Sequence, residues 1–150
     1  MPIPPPSEPR RLPPLLRRAW YGLNQVFRQK VAHLSITPDQ FSILRWLNEG
    51  DAAGLTQREI TDLMASDPNT ITSTLSRMEK AGLIMREPHE KDRRANRVKL
   101  LPAGRSTFLQ AQQVALALQA QVLSVLPADR REAFLLELEG IANRCAALEE

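Results

Sequence analysis

One cysteine, Cys145, and two histidines, His33 and His89, are all that this 150-residue chain offers for thiol chemistry or soft metal ligation. A lone cysteine excludes an internal disulfide framework and a cysteine-cluster metal site, and it fits a reducing cytoplasm. The histidines lie far apart with no ligand spacing, so a structural zinc is not expected. Long apolar runs are missing too. The best candidate, Val114 to Leu126, is too short for a bilayer and is broken by Gln119 and Gln121. The start, MPIPPPSEPRR, is proline-rich where a secretory signal needs an apolar core, so a cytoplasmic protein with no membrane partner is expected. No Ser/His/Asp set, paired carboxylates or glycine-rich phosphate loop stands out. The chain is therefore not expected to be an enzyme or to carry a cofactor.

Charge is present and unevenly spread. The net value is only +3, but residues 1–30 carry six Lys/Arg against one Glu, and residues 66–105 carry nine against five acids. Residues 106–126 carry no charge at all. Two positive stretches are what an electrostatic footprint for phosphate requires, although random clumping on a solvated surface gives the same pattern.

Seven of the twelve prolines fall in the first fourteen residues, which are expected to form no helix; residues 1–11 read as a disordered arm. Leu12, Leu16, Trp20, Leu23, Phe27, Val31 and Leu34 then recur at helical spacing, with Arg17, Tyr21, Asn24 and Arg28 as a neighbouring polar face. A second helix begins at Thr37 (N-cap), Pro38 and Gln40 (capping box), with Phe41, Leu44 and Leu47 as its buried face. The third is capped by Thr56, with Glu59 reaching back, and buries Ile60, Leu63 and Met64. After a tight Ala65-Ser66 turn, Asp67-Pro68 opens a fourth helix with a narrow stripe of Ile71, Leu75 and Met78, stopped by Gly82. Leu83 to Met85 and Asn96 to Leu100 read as two strands, Val98 and Leu100 inward, around a charged loop from Glu87 to Ala95. A long helix from Ala103 to Leu126 and a last one from Ala128 to Leu148 complete the chain, the latter with a seam of Phe134, Leu138, Ile141, Cys145 and Leu148. These readings give one domain over residues 12–150.

The fourth helix is the informative one. Its outer face offers Asn69, Thr70, Thr72, Ser73, Ser76, Arg77 and Lys80. Exposed helix faces usually use strong helix formers, and this one uses short hydroxyls and an amide. Small polar groups near a helix N-terminus allow close approach to base edges in the major groove. The candidate DNA contacts are thus Pro68, Asn69, Thr70, Thr72, Ser73, Ser76 and Arg77. In the loop, Lys91, Arg93, Arg94 and Arg97 suit a minor groove. Asp92, which DNA would repel, is expected to hold Arg94 through a charge-assisted hydrogen bond.

The run from Leu55 to Arg105, with Asp92 and Arg94 as a D-x-R wing signature and Glu79 to Leu83 as an E-K-x-G-L junction, resembles the MarR family of multiple antibiotic resistance regulators. The resemblance covers nearly everything after the proline arm. It implies a mainly α fold: a winged helix-turn-helix at residues 37–101 with a short β-hairpin wing, and N- and C-terminal dimerisation helices at 12–34 and 103–148. It implies a homodimeric regulator of transcription, in the first place a repressor, on double-stranded DNA with a pseudo-palindromic operator. It also implies a cleft for a small aromatic or phenolic effector, for which Trp20, Asn24, Phe41 and Trp46 are candidate lining, and Arg17 or Arg45 candidate carboxylate partners. Taken singly, each of those aromatics reads as a core residue rather than a ligand contact. Ser73 stands where many relatives carry arginine, so base preference does not transfer. Leu101-Pro102 replaces the usual Leu-Thr, and the peroxide-sensing cysteine near the first helix is absent. The uncharged stretch from Ser106 to Leu126 is too apolar for a monomer surface: it reads as a buried core helix, an interface or both at once, and so supports dimerisation independently. The alternative is a winged-helix protein-interaction module that does not bind DNA.

Overall fold

The computed structural model describes residues 1–3, 9–88 and 96–149. Along them run α1 (Leu12–Lys30), α2 (Pro38–Glu49), β1 (Leu55–Thr56), α3 (Gln57–Leu63), α4 (Pro68–Lys80), β2 (Ile84–Pro88), β3 (Asn96–Leu100), α5 (Pro102–Leu123) and α6 (Arg131–Leu148). Short 3-10 turns lie at Ala32–Leu34 and Ala128–Arg130. The mainly α architecture with a small antiparallel sheet is the one expected from the sequence. Two compact units emerge, Met1–Val114 and Ala115–Glu150, with their boundary inside α5.

In the first unit, α1 begins at Leu12, where the helical spacing of the sequence begins, despite the prolines there. Pro13 and Pro14 sit in its first turn, where the missing N–H groups have no intrahelical partner to lose. Its apolar stripe is buried only at the C-terminal end, at Phe27 and Val31, while Leu12, Leu16, Trp20 and Leu23 remain exposed. The box predicted at the start of α2 is complete: Gln40 N donates to Thr37 Oγ1 at 3.1 Å, and Thr37 N donates to Gln40 Oε1 at 3.3 Å. That helix buries Ile43, Leu44 and Leu47, and Phe41 is only half-buried. Phe41 bridges two rings instead, with centroids 5.0 Å from Phe27 and 5.6 Å from Phe108 of α5.

Leu63 corrects the reading of α3. It is exposed and Met64 is half-buried, leaving Ile60 as the helix's one buried residue. Seven residues make about two turns, and only one position of so short a helix reaches the core. Thr56 caps α3 as expected, accepting from Glu59 N at 3.1 Å, but its hydroxyl also donates to Glu59 Oε1 at 3.0 Å. Glu59 therefore meets the cap's side chain. The cap's backbone belongs to a strand that sequence reasoning missed: β1 joins the sheet in the order β1-β3-β2, pairing Leu55 with Val98 and Thr56 with Arg97.

On its other side β3 pairs with β2 from Ile84–Leu100 to Pro88–Asn96, so β2 runs three residues beyond Met85. Val98 at the centre is fully buried, while Leu100 is half-buried. A Lys99–Glu87 ion pair at 2.8 Å braces the two strands on the diagonal. Gly104 lets α5 cross the sheet's end: a Cβ there would lie 2.0 Å from the Leu83 carbonyl oxygen, the same oxygen that accepts from Leu101 N at 3.0 Å.

In the second unit, α5 stops at Leu123, three residues short of the expected Leu126. Arg131 Nε donates to the carbonyls of Leu123 (3.1 Å) and Leu126 (3.2 Å), satisfying acceptors that a helix end leaves open. No residue of α6 is buried, so the seam of Phe134, Ile141, Cys145 and Leu148 is exposed on the single chain. Among the described residues, no helix is long and apolar enough to cross a membrane.

Candidate nucleic-acid interface

The turn that sets α4 against α3 is closed by backbone alone. Ala65 N donates to Asp62 O and Ser66 N to Thr61 O, the paired bonds of a helix stop, with Ala65 at φ 49° where glycine is favoured. Asp67 then caps α4, accepting from Thr70 N at 2.9 Å, and its second carboxylate oxygen accepts from the Thr70 hydroxyl. The Thr70 side-chain bond, then its backbone bond, hold the Asp67 carboxyl below its ordinary range. At the other end Gly82 (φ 76°) completes a second stop: Gly82 N bonds Glu79 O and Leu83 N bonds Met78 O, each at 3.0 Å. With Ile71, Thr74, Leu75 and Met78 buried, the rest of α4 is fixed as an outer face.

That face is more internally bonded than its composition suggests. Thr70 is engaged by the cap. Thr72 donates to the Pro68 carbonyl at 2.8 Å and accepts from Gln57 Nε2 of α3 at 2.6 Å. Ser73 accepts from Arg77 Nη2 at 3.1 Å, and half-buried Ser76 accepts from Arg86 Nη2 at 3.1 Å. Asn69 has no side-chain partner among the described residues. Asn69, Ser73, Arg77 and Lys80 are thus exposed with bonding capacity left for a ligand.

Arg86 links this face to the wing. Besides Ser76 it bonds Glu79, Nη2 to Oε1 at 3.2 Å and Nε to Oε2 at 3.4 Å, and this bond holds the Glu79 carboxyl below its ordinary range. Neither Gln57 nor Arg86 was a sequence candidate. Each bonds a residue seven or more positions away, and no local pattern signals that. Arg97, expected among the loop cations, is half-buried on β3, and its Nη1 donates to the Gly54 carbonyl at 3.1 Å. Lys91, Asp92, Arg93 and Arg94 lie outside the described residues.

The six candidate effector contacts divide. Arg17, Trp20 and Asn24 line a surface cleft of about 340 Å³, with Tyr21, Gln25 and Arg28 of α1 and Thr37, Pro38 and Asp39 at the start of α2. The polar face read from the sequence, Arg17, Tyr21, Asn24 and Arg28, is one wall of it. Phe41, Arg45 and Trp46 are not among its lining residues: half-buried Phe41 stacks on Phe108, and the Arg45 guanidinium lies 4.8 Å from the Trp46 ring centroid.

Residues 36–95 match the model of the MarR family. An uncharacterised HTH-type transcriptional regulator of Bacillus subtilis (strain 168), YsmB, is 37% identical over 83 residues, 55% of each chain, so the match spans about half of that relative's length. Among solved structures, the transcriptional repressor CouR bound to a 23-mer DNA duplex is 30% identical with a TM-score of 0.80, covering 91% of this chain and 99% of that one. A probable transcriptional regulator from Pseudomonas aeruginosa is also 30% identical, with a TM-score of 0.73 and coverage of 87% and 93%. A mutant MarR from E. coli complexed with operator DNA is 25% identical, with a TM-score of 0.76 and coverage of 85% and 90%.

Proposed function

The chain belongs to the MarR family, and on that premise we propose that it is a transcription regulator that binds double-stranded DNA sequence-specifically through α4. The observation that carries this reading is the outer face of α4. A helix bonded at both ends presents Asn69, Ser73, Arg77 and Lys80 outward, while Thr70, Thr72 and Ser76 hold its cap and its neighbours. Arg77 and Lys80 at the C-terminal end supply phosphate attraction, and the amide and hydroxyl near the N-terminus discriminate bases. Lys91, Arg93 and Arg94 of the loop extend the contact to the minor groove, with Asp92 orienting Arg94. The protein acts as a homodimer on a pseudo-palindromic site. The exposed apolar residues of α1 and of α6 each provide surface that a partner would cover. Repression is the favoured outcome, since CouR, similar over nearly its whole length, is named a repressor. The cleft with Arg17 and Arg28 suits a small aromatic acid: two guanidiniums face an anion and Trp20 supplies the stacking surface.

The rival, a protein-interaction module, gives the hydroxyl-rich face no task. Selection of bound duplexes from fragmented genomic DNA by the purified protein separates the two. Enrichment of an inverted repeat is expected, and recovery of no common sequence at any salt concentration favours the rival.

A further inference from the structure

The Gln57–Thr72 bond redistributes the work of base reading. Thr72 has a single hydroxyl proton, and it is donated to the Pro68 carbonyl at 2.8 Å. The atom facing Thr72 Oγ1 at 2.6 Å must therefore be a donor, which fixes the amide nitrogen of Gln57 toward it. Two consequences follow. Thr72 is left with one lone pair and a methyl group, and it has no proton to offer a base. Gln57 keeps one N–H and its carbonyl oxygen, a donor and an acceptor with no partner among the described residues. The bond is exposed: Thr72 is exposed on α4, and Gln57 is half-buried at the start of α3. Gln57 is the first residue of α3, and its reach across to α4 places that amide beside the recognition surface.

Resting on the DNA-binding reading above, we infer that Gln57 is a specificity-determining residue that recognises adenine, with Thr72 as its positioning residue. One N–H beside one carbonyl oxygen matches N7 (acceptor) and the N6 amino group (donor) of adenine in the major groove, a pattern that no other base presents there. Bonding to Thr72 removes rotamer freedom from Gln57 before DNA arrives, so less is lost when the contact forms.

The test uses the full-length protein and a duplex it selects from a random library. Wild type is expected to require adenine at one position of each half-site. Replacing that adenine with 7-deazaadenine, which lacks the N7 acceptor, should weaken wild-type binding roughly five- to 150-fold and leave Gln57→Ala unaffected. Gln57→Ala should lose the preference at that position alone, with other positions and the salt dependence retained; Gln57→Glu, which keeps the shape but has no N–H to donate, should lose the preference for adenine as well. Thr72→Val, which keeps shape and removes the hydroxyl, should weaken the same position; circular dichroism on each variant establishes that it is folded. An unchanged motif in Gln57→Ala, or an equal loss on every sequence, overturns the assignment while leaving DNA binding intact. A wild-type protein that selects no sequence overturns the DNA reading, and this assignment with it.

Discussion

Arg86, in the first strand of the wing, closes on Glu79 in the last turn of α4, with Nη2 and Oε1 3.2 Å apart. Its Nη2 also reaches Ser76, so one planar guanidinium ties β2 to two successive turns of the recognition helix. The Arg86 side chain is 18% exposed and that of Glu79 is 42% exposed. The bond is thus screened on one side, and its main effect is on geometry rather than stability. Arg86→Ala is expected to lower the melting temperature by only a few degrees but to weaken binding to the selected duplex about tenfold, because β2 and α4 would no longer be held in one arrangement before DNA arrives. Arg86→Lys, a point charge without the fork, should restore stability more than affinity. Calorimetry and fluorescence anisotropy on the same preparations check both. Equal recovery of the two by lysine would argue against a geometric role.

Backbone strain at the α3–α4 turn gives a second test. Ala65 holds φ 49°, a conformation that costs a non-glycine residue about 1 kcal/mol. Ala65→Gly should raise the melting temperature by roughly 2–4 °C. Gly104→Ala should do the reverse despite alanine's better helix propensity. Its Cβ would meet the Leu83 carbonyl at 2.0 Å, an overpacking expected to cost about 1–3 kcal/mol. Thermal melts of both variants decide.

The cap of α4 should respond to acid. Asp67 accepts from the Thr70 hydroxyl and backbone N–H more strongly when ionised, and these bonds hold its carboxyl below the ordinary value. Its contribution is therefore complete above the unfolded pKa and is lost as pH falls through the lowered one. Asp67→Asn keeps an N-cap acceptor without the charge, so its stability should fall less over the acid range than that of wild type. Parallel acid-induced loss in both proteins would show that other carboxylates dominate.

How much of this was legible from residue order depends on range. The caps at Thr37, Thr56 and Asp67 and the stripe of Ile71, Leu75 and Met78 are contacts within three or four positions, and sequence carries them directly. Strand β1 is two residues long, too short to alternate, and exists only through pairing with Val98 and Arg97. The partners of Thr72 and Ser76 come from α3 and β2, so a row of hydroxyls that reads as free is largely bonded. The helical period of Leu12, Leu16, Trp20 and Leu23 is equally plain in sequence, but period alone cannot distinguish a core from a face left exposed on the single chain.

That face underlies the oligomer prediction. Leu12, Leu16, Trp20 and Leu23 on α1, and Phe134, Ile141 and Leu148 on α6, are all exposed on the single chain. The protein is expected to sediment as a dimer, and truncation after Pro127, which removes α6, should give monomer or aggregate. A truncated protein that stays a stable dimer would place the interface elsewhere.

The central claim is that the outer face of α4 reads bases, and the most direct measurement is a ratio. Affinities of wild type, Asn69→Ala and Ser73→Ala should be determined for the selected duplex and for a scrambled one of equal length, at one fixed salt concentration. Each substitution should lower the selected-to-scrambled ratio, by about 1–3 kcal/mol where the contact is specific, while binding to the scrambled duplex stays near wild type. Equal losses on both duplexes, with the ratio unchanged, would contradict the claim.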